Sequence, residues 1–315
     1  MATNEIELHL VEAGSGFPVV LAHGFPDLSY SWRHQMPALA DAGYHVLAPD
    51  QRGYGRSDQP VNIADYDIHH LTADLLGLLD DIDAQRAVFV GHDWGAVVVW
   101  QLALLHPERV AGVMGLSVPF IPRAPMSPVE MMRAVFADRF FYIVYFQEPG
   151  VADADLSADT GETMRRMYGG LRAEPGGDAE LTGLAAPDGV GFVDRLPPVP
   201  ELPAWLSQAE LDHYSAEFTR TGFTGGINWY RNFDRNWELT PQLEGAKVTV
   251  PAAFITGSAD PVALMTPPEL MDGWLEDERG RLVVEGAGHW VHQQEPAVVT
   301  AELLRFLGTL DLPGS

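Results

Sequence analysis

The chain has 315 residues, 46 % of them apolar, no cysteine, one lysine and a surplus of 25 acidic over basic side chains. The missing cysteines exclude disulfides, thiolate nucleophiles and Cys-ligated metals, and the negative charge disfavours nucleic acid and anionic membranes as partners. No segment reaches the ~18 uninterrupted apolar residues of a membrane helix, and the start Met1-Ala2-Thr3-Asn4-Glu5 has no basic or apolar leader region, so a cytoplasmic chain is expected.

Residues 5–12 alternate polar and apolar, which predicts an edge-type strand. Strand 18–22, a helix near 31–40, strand 45–49, a helix near 68–80, strand 87–92, helix 96–106 and strand 110–117 follow. Such alternation predicts a mainly parallel sheet with helices on both faces. Between about 119 and 245 the strand signals vanish, and Pro, aromatic residues and short helical patterns take over. A Gly/Pro/Asp-rich tract at about 174–203 reads as a long surface loop. Strand signals return near 250–256 and 281–285, and a last helix is expected near 295–309. The expected organisation is an α/β core, 1–118 and 246–315, interrupted by a helical cap at 119–245. The cap would lie over the C-terminal ends of the strands, where α/β sheets bind ligands.

The chemistry concentrates at those strand ends. Gly91-His92-Asp93-Trp94-Gly95 lies between a strand-like and a helix-like run, the pattern of a nucleophile elbow with aspartate in place of serine. A carboxylate is already ionised at neutral pH and attacks without a base. Attack on an sp³ carbon leaves an alkyl ester on Asp93, which water must cleave at the carboxyl carbon. That second step requires a base, an acid that orients it, and an oxyanion hole. His289, in Gly286-Ala287-Gly288-His289-Trp290, is the candidate base. Asp260, in Gly257-Ser258-Ala259-Asp260-Pro261, is the candidate acid. The backbone N–H groups of Phe25, in His23-Gly24-Phe25-Pro26, and of Trp94 are the expected oxyanion donors. Pro26, in so tight a turn, is a candidate cis proline. Each motif alone is commonly a plain turn, and most of the 11 histidines must be structural or solvated. The conjunction, in the order nucleophile, acid, histidine, sets them apart.

These residues resemble the epoxide hydrolases of the α/β-hydrolase superfamily, of the soluble type, over nearly the whole chain. The resemblance rests on Tyr30-Ser31-Trp32-Arg33, Gly53-Tyr54-Gly55-Arg56-Ser57, Pro119-Phe120-Ile121-Pro122 and the strand-end motifs. Most specific are Tyr145-Phe146-Gln147-Glu148-Pro149-Gly150 and Gly226-Ile227-Asn228-Trp229-Tyr230-Arg231-Asn232. It implies an α/β-hydrolase fold with an inserted cap and two cap tyrosines that hold the epoxide oxygen. Motif position makes the second Tyr230 and the first Tyr142, with Tyr145 and Tyr168 as rivals for the first role. A phenol stays protonated at neutral pH and can donate to the developing alkoxide. Trp94, Trp229, Phe140, Phe141 and Met126 are expected to wall an apolar pocket. Mammalian members carry an N-terminal phosphatase-type domain; this chain reads as starting directly at the hydrolase core, so no phosphatase activity is expected. The expected substrates are a small apolar epoxide and water, with no metal or organic cofactor; a homo-oligomer stays open. Two other readings compete. A haloalkane or haloacid dehalogenase would use the same aspartate, but a departing halide needs no proton and makes paired tyrosines superfluous. A non-catalytic ligand receptor could keep the fold and even the triad.

Overall fold

The computed structural model describes residues 1–137, 139–172 and 191–313. Its main sheet has seven strands: β3 (Leu10–Ala13), β4 (Phe17–Ala22), β5 (Tyr44–Pro49), β6 (Ala87–His92), β7 (Val110–Leu116), β8 (Val248–Gly257) and β9 (Leu275–Val284). Their order is β3-β5-β4-β6-β7-β8-β9, and only β3 runs antiparallel to its neighbour. The mainly parallel sheet expected from the alternating pattern is therefore present. The inner strands are apolar runs because helices cover both faces. In β4, Val20 and Ala22 enter one core and Val19 and Leu21 the other, as the period of two requires.

On one face lie α1 (Gln35–Asp41) and, near the C-terminus, α14 (Pro296–Leu307). On the other lie α2 (Ile68–Asp81) and α3 (Trp94–Leu105). Two readings change. The run 5–12 is not one strand: β1 (Ala2–Thr3) and β2 (Ile6–Glu7) form a small hairpin whose turn puts Asn4 and Glu5 at positive φ, and β3 starts only at Leu10. The last strand begins at Leu275, well before the apolar residues near 281. As an edge strand it is charged and half exposed in its first part, a composition that hides it from an apolar-run search and protects a free edge.

Between β7 and β8 the described residues form helices and no strand. They are α4 (Pro128–Val135), α5 (Tyr142–Tyr145), α6 (Val151–Ser157), α7 (Thr160–Gly170), α8 (Phe192–Arg195), α9 (Gln208–Thr221), α10 (Thr224–Arg231) and α11 (Phe233–Leu239). Their buried faces, including Phe146, Met164, Tyr168, Phe192, Phe218 and Ile227, join the core on the α3 face. The loop expected at 174–203 lies, over 174–190, outside the described residues; within the remainder, α8 contributes one helical turn. The core closes with α12 (Pro261–Met265) and α13 (Val291–Gln294) ahead of α14. No helix among the described residues is long and apolar enough to cross a membrane.

Candidate active site

Asp93 sits between β6 and α3 at φ 54° and ψ −120°. A side chain in that region is strained by roughly 1–3 kcal/mol and persists only where the surroundings enforce it. Here they do. A Cβ on Gly91 would lie 2.2 Å from the Gly95 carbonyl oxygen, and one on Gly95 would lie 2.1 Å from that of Ala22. Both flanks of the turn must be glycine, as its sharpness predicted.

Three strand ends converge on this carboxylate. From the β4 loop, Phe25 N–H donates to Asp93 Oδ1 at 2.8 Å, and the Phe25–Pro26 bond is cis. Trp94 is the first residue of α3, so its N–H has no acceptor within the helix. After β9, His289 places Nε2 3.5 Å from Asp93 Oδ2. Its Nδ1 donates to Asp260 Oδ1 at 3.1 Å and Oδ2 at 3.2 Å. Asp260, after β8, is fully buried, and its carboxylate also caps α12 by accepting from Val262 N–H at 2.9 Å.

The electrostatics follow from this packing. Burial pushes His289 down, but the carboxylates of Asp260 and Asp93 outweigh it and hold the imidazolium up to about 10. Burial raises Asp93, yet hydrogen bonding and charge from His289, with the Phe25 N–H, bring its carboxyl below the usual range. The resting site is thus an imidazolium between two carboxylates.

The cap supplies the roof. Tyr230, on α10, packs edge-on against Trp94, Phe25 and Phe146, with ring centroids 5.1–5.4 Å away. Tyr142, on α5, lies 5.9 Å from the Tyr230 ring and 5.7 Å from Phe146. Burial first, then the Asp93 charge, pushes both phenols up, so both stay protonated. The rival tyrosines are engaged elsewhere: the Tyr145 hydroxyl donates to Asp155 at 3.1 Å and that of Tyr168 to Asp27 at 2.8 Å.

The expected walls fare unevenly. Trp94 contacts Tyr230 and Phe233, and Phe141 contacts Tyr142 at 5.2 Å. Trp229 stands against Trp94 and Tyr54, its indole N–H tied to Arg52 O, so it backs Trp94. Phe140 turns to Tyr145 and lies under the Arg195 guanidinium at 3.9 Å, within the cap. Met126 is 43 % exposed on the irregular, proline-broken stretch before α4. The rings of Phe25 and Phe146 pack against Tyr230, 5.4 and 5.1 Å away; both residues stand in the sequence motifs, but their contacts across the cap boundary have no local signal.

Other buried groups also escaped the sequence reading. His92 Nε2–H at 2.9 Å and Ser117 Oγ–H at 2.7 Å both donate to the His289 carbonyl and hold its loop. Asp27, His92 and His292 are the one group among the described residues with metal-ligand composition, their ligating atoms lying within 4.8 Å of one another. Burial, then the His289 charge, drives His92 down to about 4, so it is neutral, with Nε2–H donated and Nδ1 free. The His92 and His289 rings are 4.8 Å apart. Unpartnered buried atoms such as Asp27 Oδ2, His92 Nδ1 and both His292 nitrogens are ordinarily satisfied by buried water.

The chain is similar to known proteins over almost its full length. Residues 18–296 match the family model described as alpha/beta hydrolase fold. Epoxide hydrolase A from Mycobacterium tuberculosis is 60 % identical over 98 % of this chain and 97 % of its own. The rat bifunctional epoxide hydrolase 2 is 39 % identical over 96 % of this chain, which spans 54 % of that longer protein. The crystal structure of epoxide hydrolase A from Mycobacterium thermoresistibile superposes with a TM-score of 0.94 at 58 % identity, covering 99 % of this chain and 98 % of the other. On the fold, the elbow and these matches, the chain belongs to the epoxide hydrolases of the α/β-hydrolase fold family.

Proposed function

We propose that this protein hydrolyses epoxides to vicinal diols through an alkyl ester on Asp93. The observation that carries the reading is a buried carboxylate at a nucleophile elbow with the His289–Asp260 pair on one side and the Tyr142–Tyr230 pair above it. In the first step Asp93 Oδ2 attacks an epoxide carbon while Oδ1 stays on the Phe25 N–H. The C–O bond breaks, and a tyrosine hydroxyl donates its proton to the departing oxygen. Two donors on one oxygen act as an oxyanion hole for an alkoxide.

Esterification removes the Asp93 charge and with it part of what holds the proton on His289. The imidazolium can then restore the proton lost by the tyrosine and become a neutral base. It next takes a proton from water, and hydroxide attacks Cγ of Asp93. The oxyanion develops on Oδ1, facing the Phe25 and Trp94 N–H groups. Collapse breaks the ester bond, the diol oxygen leaves with the proton from His289, and the carboxylic acid left on Asp93 passes its proton to His289 to restore the resting pair. Asp260 stabilises each imidazolium stage and fixes the tautomer. The dehalogenase reading loses ground because a halide would leave two roof phenols without a task.

The test pairs turnover of a panel of apolar aryl and alkyl epoxides with trapping in His289→Gln. Diol production by the parent, and an added substrate mass on the peptide containing Asp93 in the variant, are expected. Absence of diol over the whole panel would overturn the activity. An adduct on another residue would overturn the assignment of the nucleophile.

A further inference from the structure

The two roof tyrosines stand on short pieces of chain with little stability of their own. Tyr142 begins α5, a single turn of four residues without a side-chain cap. Such a turn cannot persist by its own hydrogen bonds, because nucleation costs more than one turn returns. Tyr230 stands near the C-terminal end of the eight-residue α10, whose first turn contains Gly225 and Gly226. The separation of the two hydroxyls must therefore be imposed from outside each helix.

We infer that Gln147 and Arg231 form a reciprocal clamp that sets the distance between the Tyr142 and Tyr230 hydroxyls, and that both are positioning residues for epoxide opening. The inference rests on the proposed role of those tyrosines. Gln147 follows α5, and its Nε2 donates to Ile143 O at 2.8 Å and to Tyr230 O at 3.0 Å. One amide thus ties the backbone of the first tyrosine's turn to the backbone of the second tyrosine. Arg231, the residue after Tyr230, returns the grip. Its Nε donates to Phe146 O at 3.1 Å and its Nη2 to Glu148 O at 3.3 Å. Phe146 O lies at the end of α5, where a helix leaves carbonyls without partners, and Glu148 O, beyond it, also accepts from Val151 N–H at 3.3 Å. The guanidinium side chain is 4 % exposed and is held against Asp153, and Nη1 donates to Asn228 Oδ1 at 2.9 Å. Asp153 is in turn fixed by Gly150 N–H at 2.9 Å and the Thr224 hydroxyl at 2.6 Å. The Phe146 ring packs edge-on against both phenol rings, 5.7 Å from Tyr142 and 5.1 Å from Tyr230, so the clamp closes around a packed ring.

Both Gln147 bonds require N–H donors; a glutamate there would face two carbonyl oxygens with nothing to give. Gln147→Met keeps the length and removes both bonds. A displacement near 1 Å at a reacting group can cost up to about a hundredfold, so alkylation in single turnover is expected to fall about tenfold to a hundredfold. Ester hydrolysis, which does not use the phenols, is expected to stay within about twofold, with circular dichroism unchanged. Arg231→Lys keeps the charge beside Asp153 but cannot span both carbonyls, and should give the same selective loss. In a Tyr230→Phe background the Gln147→Met penalty should shrink to about threefold or less, because one end of the clamp then positions nothing.

Alkylation within about twofold of the parent in both variants would overturn the clamp, as would equal slowing of both steps or an undiminished penalty in the Tyr230→Phe background. The Tyr142→Phe/Tyr230→Phe variant is the control. If it alkylates normally, the tyrosine assignment itself fails. If it is inert while Gln147→Met and Arg231→Lys alkylate normally, only the clamp fails.

Discussion

Replacing Asp260 by asparagine should separate the two halves of the reaction. The carboxylate is fully buried and lies 3.1 Å from His289 Nδ1, and it is the largest favourable influence on the imidazolium. Unit charges at that spacing, at an effective dielectric of ~20, interact by roughly 5 kcal/mol. An asparagine carbonyl recovers part of this as a dipole, leaving about 4 kcal/mol, or roughly a thousandfold in rate at 1.36 kcal/mol per decade. The loss falls on ester hydrolysis, where His289 gains charge as it deprotonates water. Alkylation creates no new charge on His289 and should stay within about tenfold of the parent. Stopped-flow tryptophan fluorescence with enzyme in excess, using Trp94 beside the site as reporter, would resolve the two phases. Intact mass after acid quench would show the ester persisting. Should the variant's ester decay within about tenfold of the parent rate, the Asp260–His289 pairing would not be the source of base strength, and the reasoning fails.

Each single Tyr142→Phe or Tyr230→Phe change removes one donor worth about 2.7–4 kcal/mol at an oxyanion site, which predicts alkylation slower by one to three orders of magnitude; rapid-quench adduct formation is the measure. The rate of ester hydrolysis should rise with pH and level off well below the value of about 10 held by resting His289, because the ester has lost the Asp93 charge. A rise continuing to that value in single-turnover profiles would show that Asp93 contributes nothing. Asp27 is pushed up to about 7, chiefly by burial, from 3.8. Its folded-state proton therefore contributes stability that is fully present below about 3.8 and lost as pH rises through about 7. Thermal melts should accordingly show Asp27→Asn gaining on the parent from about pH 5 to pH 8; a constant difference would mean that Asp27 does not retain this proton.

The sequence by itself determined the parts that rest on local pattern. Short apolar runs such as 87–90 and 110–116, bounded by turn signals, read as buried strands, and glycine at 91 and 95 suits a turn with no room for Cβ. Asp93, Asp260 and His289 were legible as candidates because each follows such a strand within a few residues, and strand ends of a parallel sheet meet on one edge. Only the tertiary structure shows which of the cap phenols is already engaged elsewhere. Tyr142 and Tyr145 are three residues apart on one short turn, and what separates them is Asp155, ten residues beyond Tyr145, which takes the Tyr145 hydroxyl. The same holds for Met126, an apolar side chain that the structure leaves 43 % exposed on a proline-broken segment. It holds too for the contact of His92 with the His289 carbonyl, 197 residues away, and for Gln147 reaching Tyr230 across 83. Local physics fixes the torsions and periodicities of neighbours along the chain. Which side chain meets which across the cap depends on the packing of helices far apart in sequence, and no spacing encodes that.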